Sequence, residues 1–158
     1  MKLKYTKLQI ALEIIGLLLL IAMFAFVCIQ WNQLPLQIPV HYNATGEIDS
    51  WGSKTEILIM PLIGIFLYVL LTVVAFFPQI WNVPVQITEE NKEAVYQHTM
   101  NLIILLKIEM LAIFFYITYY MATRQPLPIT FVPVLMIILF GTIIFYILRT
   151  SRLGTRKE

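Results

Sequence analysis

The sequence predicts an all-α integral membrane protein: four transmembrane helices, both termini in the cytoplasm, and a structured extracytoplasmic loop between helices 1 and 2. Three observations carry that prediction. Hydrophobic residues make up 59% of the 158 and charged residues only 13%, far from the balance of a soluble domain. The apolar residues gather into four runs at about 8–29, 57–77, 102–121 and 131–148, each about 18 to 22 residues long. At roughly 1.5 Å per residue, each can cross a hydrocarbon core of about 30 Å. The cations, finally, sit on one side. Lys2, Lys4, Lys7, Lys92, Arg149, Arg152, Arg156 and Lys157 flank the ends predicted to be cytoplasmic, against Lys54 and Arg124 on the other side. Cations are held back during insertion, which sets the orientation. The net charge of +2 comes from these flanks, so it reports topology and lipid contact and makes no case for nucleic acid. With loops too short for a second domain, residues 1–158 read as a single four-helix membrane domain.

The first run follows three lysines, as a secretory signal would, but it is too long and no small-residue cleavage site follows it, so an uncleaved span is expected. Cys28 is preceded by Val27, which excludes a lipobox, and as the lone cysteine it is expected to fill apolar space near the outer end of the helix. Glu13 lies about one and a half turns inside the span, deep enough to need a partner.

The outer loop, 30–56, is the only long polar segment. Pro35 and Pro39 forbid a continuous helix. Ile38, Val40 and Tyr42 then alternate with Pro39, His41 and Asn43, the period-two pattern of an extended segment with one apolar face. Residues 43–46, Asn-Ala-Thr-Gly, read as a turn with Gly46 available for positive φ. Ser53-Lys54-Thr55-Glu56 before an apolar run is a capping box, and Trp51 stands at the depth of an outer aromatic belt.

The second run carries Pro61 and Gly64 in its first turns and ends at Pro78, with Trp81 as an inner anchor. Thr88 can cap the next helix, with Glu89 and Glu90 in its first turn. That helix is expected to continue without interruption into the third span. There His98, Asn101, Lys107 and Glu109 are strung along one half. At 100° per residue His98 and Glu109 differ by about 20°, with Tyr116 and Tyr120 close to the same face. This makes a hydrogen-bonding stripe. Lys107, about 160° from Glu109, needs a different partner; Glu13 stands at equal depth on a helix running the same way, so an interhelical ion pair is expected. The fourth run has few polar groups and leads into a basic tail, Arg149 to Lys157, suited to anionic headgroups.

The candidate ligand-binding residues are His41, Asn43, Asp49 and Lys54, in the outer loop. The loop offers one strong nitrogen ligand, too few for a zinc site, and there is no phosphate-binding glycine loop or calcium-loop spacing. No complete nucleophile and base set can be assembled. Neither enzyme activity nor a metal or other cofactor is therefore expected.

The loop motif, Leu34-Pro35-x-x-Ile38-Pro39-x-His41-Tyr42-Asn43-x-x-Gly46-x-x-Asp49-x-Trp51-Gly52-Ser53-Lys54, resembles the signature of the DUF1648 membrane domain family, as in SdpI-type immunity proteins. The resemblance implies a multi-pass protein of the bacterial cytoplasmic membrane. In the best understood relatives, which are longer and carry further spans, such a protein protects its host from a secreted antimicrobial peptide and can hold a transcriptional repressor at the membrane. The partners implied are the lipid bilayer, a secreted peptide toxin, and a membrane or regulatory protein through which the signal is passed on. The residues themselves are compatible with peptide recognition, since an exposed extended strand can pair with a peptide main chain. Intramembrane Glu13, Lys107 and Glu109 leave open a rival reading, a transporter or an accessory subunit of one.

Overall fold

The computed structural model describes residues 4–154, so Lys2, Arg156 and Lys157 of the basic flanks lie outside the described residues. Four helices form the body: α1 (Lys7–Gln30), α2 (Ile59–Ala75), α3 (Lys92–Thr123) and α4 (Phe131–Gly154). A 3-10 turn, Lys54–Leu58, leads into α2, and with it all four helices are long and apolar enough to cross a membrane. Between α1 and that turn lie two antiparallel strands, β1 (Gln37–Tyr42) and β2 (Ile48–Ser53).

The α1 helix starts on a capping box. The Gln9 amide donates to Thr6 Oγ1 at 3.2 Å and the Thr6 amide donates back to Gln9 Oε1 at 2.9 Å. Its buried residues Gln9, Gly16, Leu20, Met23 and Val27 follow one face at alternating three- and four-residue steps, with Glu13 on the same line. The facing stripe on α3 is Met100, Ile104, Lys107, Leu111, Thr118 and Met121. These two seams pack as a parallel pair, and α3 also contacts α2 and α4, which makes it the central helix. The apolar core is layered along the bundle: Ala75, Met100 and Ile104 at the end nearer the termini, Leu20, Met23 and Leu111 in the middle, and Val27, Leu34, Ile38, Ile57 and Met121 at the hairpin end.

The last layer explains the hairpin's position. Ile38 is fully buried among helix residues. Burying one such side chain from water contributes about 1.5–3 kcal/mol, which holds β1 down on the helix ends. Elsewhere the helices turn large apolar side chains outward, including Phe66, Phe76, Ile137 and Phe140. That surface suits a lipid surround, where helix packing and internal polar contacts provide the cohesion.

Four expectations are corrected by this arrangement. Cys28 is exposed and fills no core space, because Val27 occupies the buried position on that turn. The third helix is regular only from Lys92. Thr88 and Asn91 exchange side-chain bonds first, with the Thr88 amide on Asn91 Oδ1 at 2.8 Å and the Asn91 amide on Thr88 Oγ1 at 3.3 Å, which places Glu89 and Glu90 in a turn ahead of the helix. The fourth helix runs on to Gly154, so Arg149 and Arg152 belong to it and are not tail residues. Pro39 is buried together with Ile38, against the strict alternation, because β1 is bulged just after it.

Pro61 falls in the first turn of α2, just after the change from 3-10 to α geometry. Pro78 opens a short 3-10 turn after the helix, and the Trp81 indole donates to the Val74 carbonyl at 2.8 Å, satisfying an end carbonyl of α2.

Candidate functional site

The hairpin is built around one asparagine. Asn43 Oδ1 accepts from the Thr45 amide at 3.0 Å, the Glu47 amide at 3.0 Å and the Thr45 hydroxyl at 2.7 Å, while its amide nitrogen donates to Glu47 Oε2 at 3.1 Å. Gly46 completes the turn at φ 88°. A Cβ there would collide with the Leu127 carbonyl oxygen, and the Leu127 amide donates to the Gly46 carbonyl at 2.8 Å. The tip of the hairpin is thus fastened to the α3–α4 connection.

Register then positions the polar pair. Pro39 faces Trp51, His41 faces Ser50 and Tyr42 faces Ile48, leaving Val40 and Asp49 as unopposed residues of two irregularities. The second one turns Asp49 to His41, with Nδ1 and Oδ1 2.6 Å apart. Their side chains are 67% and 42% exposed, so both remain reachable from outside.

At the end of β2, Gly52 leaves the space that the Glu56 carboxylate occupies when it accepts from the Ser53 amide at 2.8 Å. The Ser53 hydroxyl accepts from the Thr55 amide at 3.4 Å, completing the expected box. Lys54 stands apart from His41, its ammonium 4.8 Å from the centre of the Trp31 ring. Trp51 is half exposed. Tyr42 turns inward onto the Val27–Ile38–Ile57 layer, and burial pushes its phenol up to about 12. Its hydroxyl is buried and has no hydrogen-bond partner among the described residues.

Of the four candidate ligand residues, then, Asn43 is occupied by the turn and Lys54 by Trp31, while His41 and Asp49 come together on the outside. The other motif residues have architectural work: Pro35 stands in the irregular segment ahead of β1, Pro39 at its bulge, Gly46 in the turn, and Gly52, Ser53 and Glu56 at the helix start.

Inside the bundle, the polar residues of α3 separate onto two faces. Toward α1, Gln9 donates to Gln97 Oε1 at 2.8 Å and to Asn101 Oδ1 at 2.7 Å. One to two turns further along, Lys107 Nζ lies 2.8 and 2.7 Å from the two oxygens of Glu13 and donates to Thr72 Oγ1 at 2.9 Å, with the Tyr68 ring 4.6 Å away. The expected ion pair is present and closed. Lys107 is only 1% exposed, yet all three ammonium protons have an oxygen acceptor.

Toward α4, Glu109 Oε1 accepts from the Thr142 hydroxyl at 2.5 Å. His98 meets Tyr146 edge to face, and Tyr116 stacks on Phe131 at 5.3 Å while donating to the Tyr120 hydroxyl at 3.1 Å. The stripe of His98, Glu109, Tyr116 and Tyr120 is therefore largely a contact surface for α4. Among the described residues no hydrogen bond links His98 to Glu109, and His98 Nδ1 and Glu109 Oε2 are both buried without a partner. Beside Glu109, a groove of about 420 Å³ runs between α3 and α4, walled by Ala112, Tyr116, Phe131, Leu135 and Ile138.

Sequence reasoning missed Gln9, Gln97, Tyr68, Thr72 and Thr142, since single neutral polar residues in apolar helices give no pattern of their own. For Gln9 one signal existed: it stands four residues before Glu13, on the same face of α1. No cluster of three or more potential metal ligands occurs among the described residues.

Residues 18–65, from the middle of α1 through the hairpin to the start of α2, match the model of a family described as a domain of unknown function, DUF1648. An uncharacterized protein of Archaeoglobus fulgidus is 24% identical over 165 aligned residues, covering 94% of this chain and 90% of that protein. No solved structure matches the chain.

Proposed function

We propose, for a chain that carries the DUF1648 domain over residues 18–65, that the hairpin faces out of a bacterial cytoplasmic membrane and senses or neutralises a secreted, membrane-active peptide. Both termini then lie in the cytoplasm, in line with the basic residues Lys4, Lys7, Lys92, Arg149 and Arg152 at that end of the bundle. The protein acts as a binding and immunity module without a catalytic step.

The observation that carries this reading is the exposed His41–Asp49 pair at 2.6 Å, set in a two-stranded sheet whose edges no third strand covers among the described residues. An extended peptide can add to such an edge through its main chain, with the imidazole and carboxylate supplying polar selection. Once turn, cap and core positions have been assigned, the pair is left over together with half-exposed Trp51. The decisive experiment is expression in a sensitive host challenged with candidate peptide toxins. Protection by the wild type that falls at least tenfold in His41→Ala and in Asp49→Ala supports the site; equal protection by the variants overturns it.

A second reading, a transporter or its accessory subunit, has one observation in its favour: the intramembrane carboxyl of Glu109, with an oxygen that no protein group satisfies. The Glu13–Lys107 pair favours it less, because a closed and fully bonded pair has no free group to offer a passing ion. Substrate-dependent ion flux in liposomes that disappears in Glu109→Gln separates this reading from the first.

A further inference from the structure

We infer that the groove between α3 and α4 is a binding site for a hydrophobic amine, a compact apolar molecule with one basic nitrogen, taken up from within the bilayer. This inference stands on the helices alone and is independent of the reading given to the hairpin. Glu109 is the single acidic or basic residue among those lining the groove, whose other walls are almost wholly apolar. One of its oxygens is held by Thr142, while Oε2 is buried and has no partner. An unsatisfied carboxyl oxygen in hydrocarbon is costly, and Glu109 lines the groove, so a turn of its carboxyl that brings Oε2 to a ligand's donor gains more there than it would in water.

The chemistry selects an amine over other donors. Glu109 stands near the middle of α3, far from both helix ends, so either a carboxylate facing an ammonium or a carboxylic acid facing a neutral amine must be accommodated. An amine forms a hydrogen-bonded pair with the carboxyl in both states, because one partner always carries the shared proton. A fatty acid would bring a second carboxyl to the first. An acyl chain alone would leave Oε2 as it is. The size is also appropriate, since about 420 Å³ falls within the usual range for small-molecule pockets. Tyr116 and Phe131, stacked at the hairpin side of the groove, offer ring faces to a cationic nitrogen or an aromatic body.

The test uses the full chain in lipid nanodiscs and the photoreactive amine 4-benzoylbenzylamine, with 4-methylbenzophenone as the amine-free probe of nearly the same shape. After irradiation, the labelled positions are mapped by peptide mass spectrometry. The expected result is labelling within residues 108–116 and 131–138 by the amine, at least tenfold above the amine-free probe, and at least tenfold weaker in Glu109→Gln. That variant keeps an oxygen for the Thr142 hydroxyl while removing the charge. Ala112→Phe, which fills the groove with Glu109 intact, is expected to lower labelling as well, and decides the matter if Glu109→Gln does not fold. Equal labelling by the two probes, which would mark a simple lipid-chain groove, overturns the inference. So does amine labelling that persists in both variants.

Discussion

The amide of Leu127 donates to the carbonyl of Gly46 at 2.8 Å, and this single backbone bond ties the hairpin tip to the connection between α3 and α4. The β1–β2 unit is consequently held at both ends, by the capping box of Ser53 and Glu56 at its base and by Leu127 at its tip. A two-stranded hairpin alone is marginal in water. Here it becomes a rigid cover over the layer of Val27, Ile38, Ile57 and Met121.

Gly46→Ala should loosen that cover. The position needs positive φ and has the Leu127 carbonyl against it, so an added methyl meets both backbone strain and a backbone neighbour that cannot rotate away. Strain of this kind costs about 1–3 kcal/mol. Hydrogen exchange is the direct measurement: the Leu127 amide should lose protection in the variant while amides in the middle of α1 and α3 keep theirs.

Lys107→Met should destabilise the bundle by about 3–5 kcal/mol, the range for removing one partner of a buried ion pair. It takes the ammonium away from the Glu13 carboxylate, while the Thr72 hydroxyl keeps its bond to the Tyr68 carbonyl. The double variant Lys107→Met with Glu13→Leu should recover much of that loss, since no unpaired charge then remains between α1 and α3. A double-mutant cycle on unfolding in detergent measures the difference, and additive effects would mean that the pair contributes nothing as a pair.

Tyr42 titrates near 12 because burial disfavours the phenolate, against an ordinary value of 10.0. Its folded value is raised, so the unfolded chain releases the proton first as pH rises. Stability is then complete below about pH 10 and declines toward pH 12. Tyr42→Phe removes this alkaline loss, and because the hydroxyl has no partner, it should leave neutral-pH stability unchanged or slightly higher. Thermal unfolding of the two proteins at pH 7 and pH 11 reads both effects.

The helices were legible because hydropathy needs only a count. The Glu13–Lys107 pair was legible too, because helix geometry turns a depth in the sequence into a depth in space. The second strand was not: Ile48-Asp49-Ser50-Trp51-Gly52-Ser53 has little strand propensity, and it is extended because β1 and Gly52's neighbour Glu56 hold it so. Nor could Leu127 be found, since a contact of one backbone amide with Gly46, far earlier in the chain, leaves no trace in side-chain chemistry. Asn101 and His98 are only about 60° apart at 100° per residue, so their division between α1 and α4 depends on how four similar helices pack.

His41→Ala and Asp49→Ala distinguish a site from a lid. An exposed pair of this kind contributes about 0.2–1 kcal/mol, and nothing else in the hairpin is bonded to either side chain. Ile38, Gly46 and the capping box remain in place in both variants, so the unfolding midpoint should move by no more than a few degrees and Leu127 should keep its exchange protection. If instead either substitution releases the hairpin, the pair is part of the architecture and the binding site lies elsewhere. If the fold stands while protection against a toxin is lost, then a feature of the motif that the cover does not require is the feature that meets the peptide.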